Sequence, residues 1–92
     1  NLVTDAINAA LNGDWTRSKN LIEDAYLTSG RDSDAIFSQI VDAVYQIKDE
    51  DVKIKLSYEL GTLDHHLQST HFPQVTLVAF MNYIMLLPHL KR

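Results

Sequence analysis

The sequence predicts an all-α fold, a compact bundle of about five helices in a single domain, and three observations lead there. Only three Gly and two Pro interrupt 92 residues, too few for the turns of a β fold. Apolar residues recur at three- and four-residue spacing through four successive segments, as in helices with one buried face. A fifth segment, Pro73 to Leu87, is apolar almost all round, with Gln74, Thr76 and Asn82 its clearly polar residues. A helix of that kind has no solvent face to spare and needs neighbours on every side. It is shorter than the ~20 apolar residues of a membrane span, so its cover must come from the rest of the chain or from another subunit.

The first helix is expected from Val3 to Asn12, with Thr4 as its N-cap and Val3, Ile7, Ala10 and Leu11 on one stripe. Gly13 ends it in a left-handed conformation, and Asp14 caps the next helix with its carboxylate. That second helix, about Trp15 to Thr28, carries Trp15, Ser18, Ile22, Ala25 and Tyr26 at helical spacing and stops at Gly30. Trp15 shares a stripe with Ile22 and is expected to anchor the corner from inside; the alternative is an exposed binding aromatic.

A third helix begins at Asp32 or Ser33, with Ser33 as cap, and runs to about Ile47. Its apolar positions, Ile36, Phe37, Ile40, Val41, Val44 and Tyr45, make a stripe wide enough for two neighbours. The polar run from Lys48 to Lys53 breaks the pattern, and Asp49 caps a fourth helix reaching about Leu67. Val52, Leu56, Leu60, Leu63 and Leu67 form its buried line. Gly61 lies inside that line's helix at a cost of about 1 kcal/mol relative to Ala, and close approach of another backbone is the expected compensation. Pro73 suits the first turn of the last helix, where its missing N–H would be unpaired anyway. At 100° per residue Leu77, Phe80 and Ile84 share one side of that helix. Val75, Ala79, Tyr83 and Leu86 share another, and Val78, Met81 and Met85 a third, among Gln74 and Asn82.

Several chemistries find no footing. Without cysteine neither disulfides nor thiolate metal sites are available. A net charge of −4 and a pI near 5.4 disfavour a surface that neutralises phosphates. Three scattered glycines cannot form a phosphate-cradling loop, and no Ser, His and acid set has a spacing that points to a triad. Asp49, Glu50 and Asp51 belong to a solvated run. Asp64, His65, His66 and His71 invite a zinc reading, but helical metal ligands need i, i+4 spacing, whereas His65 and His66 diverge by about 100°. Surface or interface histidines are the better reading. Met81 and Met85 fit either core filling or an adaptable interface.

Taken in order, these residues resemble the C-terminal collar domain of clamp-loader small subunits, of the replication factor C type found in archaea, eukaryotes and T4-like phages. Ala9, Ala10, Leu11, Asn12, Gly13, Asp14 and Trp15 look like the family's A-L-x-G-D-aromatic corner. Ala35, Ile36, Phe37 and Ile40 resemble its I-hydrophobic-x-x-I helix, and Leu60 and Gly61 followed by Val75, Leu77, Ala79 and Phe80 resemble its L-x-G…I-x-L-x-A-L ending. Where archaeal members commonly have an acid and then Arg after the glycine, this chain has Asp64 and then His66.

The resemblance implies a domain that holds the subunits of a pentameric machine in a ring while the machine loads a sliding clamp onto primed DNA during replication. ATP and Mg²⁺ would bind in N-terminal AAA+ modules outside this chain, which itself needs no cofactor, no metal and no catalysis. Sliding clamp and primer-template DNA would be met only through those modules, and the setting would be cytoplasmic at the nucleoid, or nuclear in a eukaryote, with no membrane. The opening at Asn1, without an initiator Met, fits a C-terminal fragment of a longer AAA+ subunit. Gln74, Val78, Met81, Asn82 and Met85, with Asp64 and His66, are the expected subunit interface, and the side of Val75, Ala79, Tyr83 and Leu86 is the alternative. Gly13, Asp14, Trp15, Gly61, Leu77 and Phe80 are the expected structural positions. A free-standing helical adaptor that binds a partner helix in an apolar groove, and a small enzyme built on the histidines, are the competing readings.

Overall fold

A computed structural model describes residues 1–87, which form five helices: α1 Leu2–Leu11, α2 Trp15–Thr28, α3 Ser33–Tyr45, α4 Glu50–Ser69 and α5 Pro73–Leu86. No strand occurs among the described residues. The all-α bundle expected from the periodicity is the fold observed. α1 is the hub, packed against α2, α3 and α5, while α4 bridges α3 and α5 on the far side. Small residues explain why α1 takes that place: Ala6, Ala9 and Ala10 flank Val3 and Ile7, so three other helices can approach it closely. One continuous core joins Ile7, Ile22, Ile36, Ile40, Leu56, Leu77 and Ile84, all at most 2% exposed.

The corner between α1 and α2 forms as its residues dictate. Gly13 adopts φ +78°, and the Gly13 and Asp14 N–H groups donate to the carbonyls of Ala10 and Ala9 at 3.0 and 2.9 Å, which satisfies the end of α1. The Asp14 carboxylate then accepts from the Arg17 N–H at 3.2 Å. Behind the corner, fully buried Ser18 donates its hydroxyl to the Ala6 carbonyl at 2.8 Å. The end of α2 repeats the device with Gly30 at φ +75° and Arg31 at φ +62°, and the Arg31 N–H donates to the Tyr26 carbonyl at 3.0 Å. A left-handed arginine is a feature the sequence reading did not anticipate.

Four local expectations need correction. Asn1, not Thr4, caps α1: its Oδ1 accepts from the Thr4 N–H at 2.8 Å. Asp32, not Ser33, caps α3, because Asp32 has the extended backbone a cap requires (φ −94°, ψ 100°) and accepts from the Asp34 and Ala35 N–H groups. On α3 the buried line uses Ala43 where Tyr45 was expected, and the Tyr45 ring is exposed. α4 matches the reading closely: Asp49 caps it, Val52, Leu56, Leu60, Leu63 and Leu67 are all buried, and Gln68 Nε2 donates to Asp34 Oδ1 of α3 at 3.2 Å.

Gly61 is the fourth correction. A Cβ placed there would meet no atom within 4 Å, so no backbone of this chain approaches it. Gly61→Ala should therefore raise the stability of the monomeric domain by up to about 1 kcal/mol, through helix propensity and a less disordered unfolded chain. Urea denaturation at low protein concentration measures this, and a loss of stability would reveal a contact to the glycine within the domain.

Candidate subunit interface

α5 carries no charged residue over its whole length, and its start is built from the loop before it. Pro73 occupies the first helical position, Phe72 precedes it without a side-chain cap, and the Phe72 N–H is instead satisfied by the Thr70 hydroxyl oxygen at 2.9 Å. Leu77, Phe80, Met81 and Ile84 point into the bundle between α1, α2 and α4. Leu77 and Phe80 are thus core residues, as expected.

The expected interface set does not gather on one surface. Met81 is 0% exposed, at the centre of the core, so it offers nothing to a partner. Gln74, Val78, Asn82 and Met85 are half-buried, with Val78 and Met85 packed on the core's edge. Asp64 and His66 are both exposed, yet two residues apart on one helix they diverge by about 200° and cannot share a contact. His66 alone lines the groove between α4 and α5.

Trp15 is neither the buried anchor nor a free aromatic. It is 45% exposed, and its indole N–H donates to Asn82 Oδ1 at 2.6 Å, tying the α1–α2 corner to the side of α5. Lys19 stands 6.0 Å from the centre of the Trp15 ring and also pairs with Glu23 at 3.1 Å.

What α5 leaves open is the side made of Val75, Ala79, Tyr83 and Leu86. Val75 is 67% and Leu86 68% exposed, Ala79 is exposed and Tyr83 half-buried. Phe72 extends this strip at the N-terminal end; Trp15 and Met85 adjoin Leu86 at the other. A shallow groove lies along each flank. One, of about 270 Å³, is lined by Glu59, Leu63 and His66 of α4 and by Val75, Ala79 and Phe80. The other, of about 380 Å³, is lined by Lys19 and Glu23 of α2 and by Gln74, Val78 and Asn82. The arrangement is an apolar ridge between two grooves. On the histidines, His65 and His66 have ring centroids 6.2 Å apart, and no group of three metal-ligating side chains occurs among the described residues.

A family model described as the replication factor C C-terminal domain matches residues 1–81, which takes in α1 to α4 and the first part of α5. The chain belongs to that family. It is a clamp-loader C-terminal domain, of the DNA replication machinery. No curated protein and no solved structure matches it. The corner at Gly13, Asp14 and Trp15 and the α3 and α4 patterns that resembled the replication factor C family all lie inside the matched span. No helix among the described residues is long and apolar enough to cross a membrane.

Proposed function

We propose that this domain is the collar that holds clamp-loader subunits together, and that it does so by surface burial alone, without catalysis and without a cofactor of its own. One observation carries the reading: α5 of a clamp-loader C-terminal domain presents an uncharged ridge with Val75 and Leu86 two-thirds exposed. Burying that ridge removes apolar surface from water at no desolvation cost for charge. Other subunits of the loader are the partners, arranged in a pentameric ring. ATP, Mg²⁺, the sliding clamp and primer-template DNA are engaged by AAA+ modules of the same subunits, which places this chain at the C-terminal end of a longer protein. The setting is the replication apparatus, at the nucleoid or in a nucleus.

The test is association of the chain with itself, followed by light scattering and sedimentation velocity up to millimolar concentration. Concentration-dependent assembly that weakens with a charge at Val75 or Leu86 is the expected result. A chain that stays monomeric at millimolar concentration, both alone and mixed with the other loader subunits, overturns the assembly role.

A further inference from the structure

We infer that Asn12 and Gly13 form a self-modification site, at which the chain converts an asparagine to isoaspartate when the corner between α1 and α2 opens. Of the five asparagines only Asn12 is followed by glycine. Asn8, Asn20 and Asn82 lie inside helices, and Asn1 precedes Leu2. Asn12 is the C-cap of α1, with φ −90° and ψ 0°; it is exposed, and its side-chain amide makes no hydrogen bond among the described residues. Gly13 has no Cβ to shield its nitrogen, and the space a Cβ would take is open. Asn12 also lines a solvent-open pocket of about 220 Å³ with Asp5, Asn8, Asp14 and Arg17, so water and hydroxide reach it.

The reaction needs only water and base. Hydroxide takes the Gly13 amide proton, the nitrogen attacks Asn12 Cγ to close a succinimide ring, and Nδ2 leaves as ammonia with a proton from water, which regenerates the hydroxide. Water then opens the ring. Addition at Cγ yields aspartate, and addition at the Asn12 main-chain carbonyl yields isoaspartate, with the chain rerouted through Cγ. Nothing is oxidised or reduced; the net change is uptake of water and loss of ammonia. In the closed corner the reacting atoms cannot meet. With ψ at 0°, the Gly13 nitrogen stands about 120° in torsion from the position eclipsing Cβ that ring closure requires, by the tetrahedral geometry of Cα. Turning it there breaks the bonds from the Gly13 and Asp14 N–H groups to Ala10 and Ala9. It also swings the start of α2, which Asp14 caps and buried Ser18 ties to Ala6. Local opening therefore sets the rate. The product then keeps the corner open: isoaspartate lengthens the main chain by a methylene, so those two N–H groups no longer align with their carbonyls. Its new carboxylate also sits at the negative end of α1.

The test incubates the chain in warm, mildly alkaline buffer, folded in one sample and unfolded in urea in another, with peptides mapped by mass spectrometry and isoaspartate counted by enzymatic methyl transfer. Asn12 should be the first asparagine converted in both, and the folded chain should be slower by about tenfold or more, because only its open fraction reacts. Asp14→Ala removes the cap of α2 and should speed conversion in the folded chain severalfold, while the unfolded rate stays nearly unchanged. Asn12→Gln, whose longer side chain must close a larger ring, should stay unmodified and melt with the parent. The isoaspartate chain, separated by its added charge, should melt several degrees below the parent at equal concentration. Conversion as fast folded as unfolded, or unmoved by Asp14→Ala, overturns the gating by the corner. A folded chain in which Asn12 stays intact while the unfolded one converts, or in which another asparagine converts first, overturns the site. An isoaspartate chain that melts with the parent overturns the effect on the corner.

Discussion

Phe80→Ala is expected to cost about 3 to 5 kcal/mol of folding stability, the usual range for removing a buried aromatic ring. A 92-residue domain has a total of roughly 5 to 14 kcal/mol, so this single change takes the protein to the edge of unfolding. Phe80 is 5% exposed, sits on the side of α5 shared with Leu77 and Ile84, and stacks with Tyr83 at 6.5 Å between centroids and 19° between planes. Its ring also closes the floor of the α4–α5 groove, so the cavity left behind would open to water and relax in part, which places the cost at the lower end of that range. Urea denaturation followed by circular dichroism gives the number. A loss below about 1 kcal/mol would mean that α5 is held by its contacts with α1 and α2 alone.

The helices and their buried lines were legible in the sequence because each is set by local spacing. Val52, Leu56, Leu60, Leu63 and Leu67 fall on one stripe of α4 and are all buried, and Gly13 and Asp14 mark a corner through backbone conformation and capping that need no distant partner. Caps with two neighbouring candidates were less legible. At Asp32 and Ser33 the choice depends on which residue takes the extended backbone, and at α1 the cap is Asn1, three residues ahead of the expected Thr4.

The open side of α5 was hidden for a different reason. α5 is apolar on nearly every side, so periodicity cannot say which side faces inward; only the places of α1, α2 and α4 decide it. Those helices cover Met81, which was expected at the interface, and leave Val75, Ala79 and Leu86 open. Trp15 failed for a related reason: a shared stripe with Ile22 implies burial only if the neighbouring helix extends that far, and α5 meets Trp15 through the polar Asn82.

The sharpest contrast lies between two changes on the same helix, Met81→Glu and Val75→Glu. Met81→Glu places a carboxylate at a position that is 0% exposed, and an uncompensated buried charge costs about 3 to 5 kcal/mol, so the domain should melt far below the parent or fail to fold. Val75→Glu places the same group on an exposed site in the first turn of α5. An acidic residue near a helix N-terminus is mildly favourable, and surface changes stay within about 0.5 kcal/mol. The monomer should therefore melt where the parent does. Association is where Val75→Glu should act, because an uncompensated charge buried at a closed interface costs about 3 to 5 kcal/mol, which is a loss of roughly a hundredfold or more in affinity. Thermal melts at low micromolar protein, where only the monomer is sampled, separate the two effects from light scattering at high concentration. If Val75→Glu lowers the melting temperature as Met81→Glu does, the exposed face of α5 is internal to the domain. If it leaves both melting and association untouched, the ridge carries no subunit, and the uncharged length of α5 has no role in assembly.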